Sequence, residues 1–168
     1  SGRAYLLDAN VLIDANRDYY PIERVPEFWE WLVHVGKQGK TKIPVEVCEE
    51  IKAGNDDLAK WVKGDAVETA LLFLEAAEVA LVSQATDLGY ATDLTDIEVE
   101  KIGRDPFLIA YGLVDVGQRC IVTTEASKPK AQRANRRLPD DCDQLKIPCC
   151  NTFAFLRELD FSTGWKSR

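Results

Sequence analysis

A set of carboxylates stands where this sequence passes from apolar, strand-like runs into helical patterns. Asp8 ends the run Tyr5–Leu7 in "YLLDANVLID". Glu46 and Glu50 follow Thr41–Ile43 in "PVEVCEEIKAG", four residues apart and therefore along one helix face. Asp105 opens "DPFLIAYGLVDVG", and Glu125 lies just past Cys120–Thr123 in "TTE". Each alone has an ordinary role: Asp8 and Asp105 as helix caps, Glu50 as a solvated helix residue, Glu125 as a loop charge. Together they imply more, because clustered carboxylates repel one another and are costly unless they bind a cation. An oxygen-only donor set suits Mg²⁺ or Mn²⁺ rather than zinc. Such ions activate water and stabilise a leaving oxygen in phosphodiester hydrolysis.

The elements that must position these acids are short. Tyr5–Leu7, Thr41–Ile43, Cys120–Thr123 and, more weakly, Lys146–Cys149 read as strands, continuous rather than alternating, as in a sheet covered on both faces. The helix-rich run Ala66–Ala85 reads as helix, with a weak strand signal at Ala80–Val82. In "PEFWEWLVHVG", Phe28, Trp31, Leu32 and Val35 repeat at helical spacing, with Pro26 in the first turn and Gly36 as a stop. That spacing makes the tryptophans core residues rather than a base-stacking surface, and puts His34 on the outer side. Asn55 and Gly64 bracket a further helix, Gly117 closes the one opened by Asp105, and Asn151 caps a last one that turns Phe153, Leu156 and Leu159 to the core. Strands alternating with helices predict a three-layer α/β/α sandwich on a parallel sheet of four to five strands. The C-terminal edge of such a sheet is where open α/β folds carry their sites, and all the acids fall there.

With 168 residues, 46% apolar and 29% charged, the chain is expected to form one domain over residues 3–161, with 162–168 as a tail. Ser1-Gly2 reads as a scar of tag removal. No apolar run approaches membrane-spanning length and no signal-peptide pattern opens the chain, so a cytoplasmic protein is expected. The odd number of cysteines, the lack of a C-x-x-C pair and the lone His34 argue against zinc and against a disulfide framework. Cys48 and Cys120 sit in apolar patterns as small core residues. The net charge of −7 argues against indiscriminate nucleic-acid binding. One segment runs against it. Between Arg119 and Arg137 there are six Lys or Arg and a single acid, Glu125. Lys128, Lys130, Arg133, Arg136 and Arg137 are either a solvated loop or a set of phosphate contacts.

"LLDANVLI", "IPVEVCEEI", "RDPFLIAYGL" and "IVTTE" follow one another in the order and register of PIN domains, and the chain resembles that family over nearly its whole length. The opening "YLLDANVLIDANRDYYP" with "FWEWL", and the closing "KIPCCNTFAFLREL", resemble its DUF4411 subgroup. The resemblance implies a metal-dependent ribonuclease, the kind that serves as the VapC-like toxin of type II toxin–antitoxin pairs. It would then act on RNA with Mg²⁺ or Mn²⁺ and have a cognate antitoxin as partner. It implies that Asp8, Glu50, Asp105 and Glu125 hold the metal, that Asn10 orients the site, and that Glu46 is a reserve ligand. Thr123 and Thr124 would bond water or phosphate. Glu125 replaces the family's usual aspartate and is one methylene longer, which shifts it toward water-mediated contact. The segment "VETALLFLEAAEVALVSQA" would form a helical hairpin or arm of the sort that builds PIN homodimers.

Other readings stay open at this point. A haloacid-dehalogenase-like phosphatase also begins with a strand-end aspartate, but needs a second one where Asn10 stands. Response-regulator receivers need an acid pair where Leu6 and Leu7 stand. No phosphate-cradling glycine loop occurs. A PIN fold kept as an interaction or regulatory module without nuclease activity remains the non-enzymatic alternative.

Overall fold

The computed structural model describes residues 2–168; Ser1, of the pair read as a tag scar, lies outside them. The strands are β1 (Ala4–Leu7), β2 (Thr41–Pro44), β3 (Leu72–Phe73), β4 (Arg119–Val122) and β5 (Cys149–Cys150). After β1 come α1 (Ala9–Asp14) and α2 (Pro26–Lys37). After β2 come α3 (Val45–Lys52), α4 (Asp57–Val62) and α5 (Asp65–Leu71). Between β3 and β4 lie α6 (Val79–Gly89), α7 (Asp96–Ile102) and α8 (Asp105–Val114). Then α9 (Leu138–Leu145) precedes β5 and α10 (Thr152–Glu158) follows it.

All five strands are parallel, in the order β3-β2-β1-β4-β5. Tyr5 of β1 lies opposite Thr41 of β2 on one side and Cys120 of β4 on the other. The chain thus winds outward from β1 through β2 to β3, then crosses back to β4 and β5. Right-handed crossovers put α1–α5 on one face of the sheet and α6–α9 on the other. Contacts follow that division: α2 packs on α5 and α1 on α3, whereas α6 packs on α8 and α9. This is the expected three-layer sandwich. Leu6, Leu7, Ile121 and Val122 are wholly buried, which explains why β1 and β4 read as unbroken apolar runs. Phe28, Trp29, Trp31 and Leu32 of α2 are buried, while His34 is exposed and stacks on Trp165.

Several local expectations are corrected. The run Ala66–Ala85 is not one helix and forms no helical hairpin. It breaks at β3, where Leu72 and Phe73 pair with Ile43 and Pro44. A strand of two residues has no pattern of its own; the unpaired edge of β2 decides it, over local helix propensity. Gly36 is no helix stop. It is buried within α2, where a Cβ would meet Leu71 Cδ2 at 2.6 Å and the Ala70 carbonyl at 2.8 Å, so it permits close packing of α2 on α5. Asp56 rather than Asn55 caps α4, accepting from Ala59 N–H, while Gly64 closes α4 as expected, donating to the Trp61 carbonyl at 3.1 Å just past the C-cap Lys63, and also stands at the N-cap of α5. The last strand is shorter than Lys146–Cys149 suggested, because Lys146 turns left-handed (φ 64°) to close α9. Asn151 caps α10 as expected, but the buried stripe is Thr152, Phe155 and Leu156, leaving Phe153 exposed. The C-terminal residues do not trail free: Trp165 Nε1 donates to the Glu27 carbonyl at 2.8 Å.

Candidate active site

In the order β3-β2-β1-β4-β5, the direction of winding reverses between β1 and β4, and open α/β sheets form their binding crevice at such a switch point. Asp8 follows β1 and Thr123 follows β4, so both stand at its mouth. Asp8 occupies the N-cap position of α1, yet its side chain makes no capping bond. It is 7% exposed, and its Oδ2 accepts the Thr123 hydroxyl at 2.9 Å. Thr123 Oγ1 in turn accepts the Glu125 N–H at 3.2 Å. Asp8 is therefore shaped by the site and not by the helix it begins.

Asp8, Glu50, Asp105 and Glu125 line one cleft of about 240 Å³, together with Asn10. Burial raises Asp8, to about 6, against the Thr123 hydrogen bond that lowers it; Glu125 and Glu50 add to the rise. Burial raises Asp105 further, to about 8, with Asp8, Glu125 and Glu50 contributing. None of the four enters an ion pair among the described residues. The cations on the cleft wall are committed elsewhere: Arg104 bonds the Glu46 carbonyl and Glu49, and Lys101 bonds Asn135. Among the described residues, no three of these side chains close on one point as a metal-ligand group. Repulsion acts across the cleft, whereas Mg²⁺ ligation requires oxygens at about 2.0–2.1 Å, so the acids share a space without forming a cage. Asp8 is buried, Asp105 and Glu125 are half-buried and Glu50 is exposed, and an oxygen-only set of this kind with no ion-pair partners fits a hard divalent cation.

The other expected residues divide. Glu46 is not at hand as a reserve ligand: both its oxygens accept the Tyr111 hydroxyl, at 2.8 and 3.1 Å. Four residues of helix separate it from Glu50 by about 6 Å along the axis, enough to carry it out of the cleft. Thr124 is half-buried and lines neither this cleft nor its neighbour. Glu125 Oε2 accepts the Leu138 N–H at 2.8 Å and so caps the start of α9; the extra methylene is what lets it reach. In the basic segment, Lys128, Arg136 and Arg137 line a second cleft that also touches Asp105 and Glu125. Arg133 does not join them. Its guanidinium bonds Glu98 and Asp93; its bonds to Glu98, with the Thr95 N–H, hold the Glu98 carboxyl down at about 2. Lys130 is exposed and outside both clefts.

Sequence reasoning missed Asp141 and Tyr90. Asp141 is wholly buried in α9, and burial raises it to about 7, opposed by Tyr90 and Arg136. A signal existed: Leu138, Asp141, Cys142 and Leu145 repeat at helical spacing, which puts an acid on an apolar stripe. The capping pair Thr95 and Glu98 likewise marked α7. Tyr90 carried no such signal.

Fold and site together define an α/β/α protein with a carboxylate cleft at its sheet's switch point. The chain belongs to the DUF4411 family, described as a domain of unknown function, whose model matches residues 5–163. No curated protein and no solved structure matches it.

Proposed function

We propose that this protein is a metal-dependent ribonuclease of the PIN type. The observation that carries the reading is Asp8: a carboxylate buried at the end of the central strand, held by Thr123 and faced by three further acids with no cation to neutralise it. Asp8, Glu50 and Asp105 are the residues that would hold Mg²⁺ or Mn²⁺, with Glu125 setting the position of α9 beside them. The ion would supply a water acidic enough at neutral pH to attack an RNA phosphodiester. Thr123 fixes the Asp8 rotamer and leaves its other oxygen to the cleft. Asn10, exposed on the cleft wall, offers an amide to the approaching phosphate. Within this reading the protein is the toxin of a type II pair acting in the cytoplasm, its antitoxin a separate chain. A small neighbouring reading frame with a DNA-binding N-terminus would support the pairing.

One observation favours a second reading, a PIN-fold interaction module without nuclease activity: Glu125 spends Oε2 on the backbone of α9. A single variant separates the two. In the nuclease, Mn²⁺ raises the melting temperature, and Asp8→Asn removes both that rise and RNA cleavage while the fold survives. The metal-free Asp8→Asn protein melts no lower than wild type, because a buried charge has gone. Wild-type cleavage by Asp8→Asn, with contaminating nucleases excluded, would sink the proposal.

A further inference from the structure

The basic segment after β4 is not a loose loop. The Lys128 N–H donates to Asp140 at 2.8 Å, Ser127 bonds the same carboxylate, and Arg133 anchors the turn to Glu98 at 2.9 Å. The tethered segment encloses a cleft of about 390 Å³ that shares Asp105 and Glu125 with the carboxylate cleft. Lys101, Lys128, Arg136 and Arg137 line it. Of these only Arg136 has an acid partner among the described residues, Asp141, with Nε 3.2 Å from Oδ1. Two donors on the wall are buried without a hydrogen-bond partner: the Tyr90 hydroxyl, on a side chain 7% exposed, and Arg137 Nε. The Tyr90 hydroxyl lies beside the Asp141 carboxylate and favours its charged form, but no hydrogen bond of full geometry joins them, and both Asp141 oxygens are likewise buried without a hydrogen-bond partner. Buried polar groups are almost always satisfied in folded proteins. Two unmet donors in one cleft, beside Lys101, Lys128 and Arg137, which have no acid partner among the described residues, mark a place for an anionic group rich in oxygen.

We propose that this cleft is a phosphate-binding subsite, which takes the phosphate next to the one cleaved, with Tyr90 and Arg137 as its buried donors. The assignment of that phosphate to a nucleic-acid strand rests on the nuclease reading. Successive phosphates of a strand are joined by a single sugar, and the two clefts share Asp105 and Glu125, so one strand can occupy both across their shared wall. The bound phosphate is either internal to the strand or a terminal monoester, and the two share the same chemistry.

The test is binding without metal. Inorganic phosphate, titrated in EDTA at low salt and followed by amide chemical shifts, should perturb residues around Tyr90 and Arg137. A short single-stranded RNA, followed by anisotropy in the same buffer, should lose about tenfold in affinity with Tyr90→Phe or Arg137→Ala, as expected for a hydrogen bond to a charged group. Lys63→Ala, an equal loss of charge on α4's exposed end, should leave affinity within twofold. Arg137→Lys, which keeps the charge but not the donor, should fall between. RNA with a 5′-phosphate binding more tightly than RNA with a 5′-hydroxyl assigns the subsite to a terminal phosphate; equal binding assigns it to an internal one. Unchanged affinity in folded Tyr90→Phe and Arg137→Ala, or no shifts with phosphate, would overturn the subsite and leave metal-dependent cleavage standing. Binding without cleavage would do the reverse.

Discussion

One hydroxyl, that of Thr123, settles the conformation of Asp8. Its oxygen accepts the Glu125 N–H at 3.2 Å, which leaves its single proton for Asp8 Oδ2 at 2.9 Å. Thr123→Val keeps the shape and removes the donor, so a buried carboxylate oxygen loses its partner. Chemical denaturation without metal should show a loss of about 1–3 kcal/mol. Mn²⁺ titration should show affinity about 10–100-fold weaker, since groups that orient ligands matter nearly as much as the ligands. Thr123→Ser should recover most of both. Unchanged Mn²⁺ affinity in Thr123→Val would mean that Asp8 needs no orientation. Asp8 and Asp105 were legible in the sequence because each interrupts an apolar pattern at a point where a strand meets a helix. Asp141 was harder to see, since its neighbours Asp140 and Asp143 made the segment look solvated.

At the scale of elements, α9 decides what Glu125 does. The glutamate sits 13 residues before Leu138, yet it caps the helix that Leu138 begins. The sequence showed an acid after a strand; it did not show that acid reaching a later helix, because the bond exists only once α9 lies against β4 and β5. The same limit hid β3, whose Leu72 and Phe73 gain strand form only from β2. Glu125→Asp would put in place the aspartate usual in PIN domains, which the chain resembles, at the cost of the cap. The shorter side chain should release the Leu138 N–H and lower stability by about 1 kcal/mol, the ordinary value of an N-terminal cap. Hydrogen exchange should quicken at the start of α9 and not in α8. Equal exchange in both proteins would show that α9 does not depend on Glu125.

For the whole molecule, the acids at the switch point act against the fold. Asp8, Asp141 and Asp105 are raised to about 6, 7 and 8. An unfolded aspartate titrates near 3.9. Between these values the folded protein holds protons that the unfolded chain has lost, so stability is highest at acid pH and falls as pH rises from about 4 through about 8. Metal-free protein should therefore melt lower at about pH 8.5 than at about pH 5.5, and Asp105→Asn should recover about 1–3 kcal/mol at the higher pH. Saturating Mn²⁺ should reverse the slope. A melting temperature that climbs with pH in EDTA would show that these carboxylates are not strained by their burial.

The sheet's winding order has a consequence for synthesis on the ribosome. Asp8 and Thr123 stand 115 residues apart and meet only when β4 docks beside β1. A growing chain makes Asp8 and Glu50 before β4, so the centre can be completed only once β4 has left the exit tunnel. Domains complete their folding only as such distant segments emerge. On the nuclease reading proposed above, the centre would thus stay unassembled until the chain through Thr123 had emerged, and no competent molecule could act on a transcript before then.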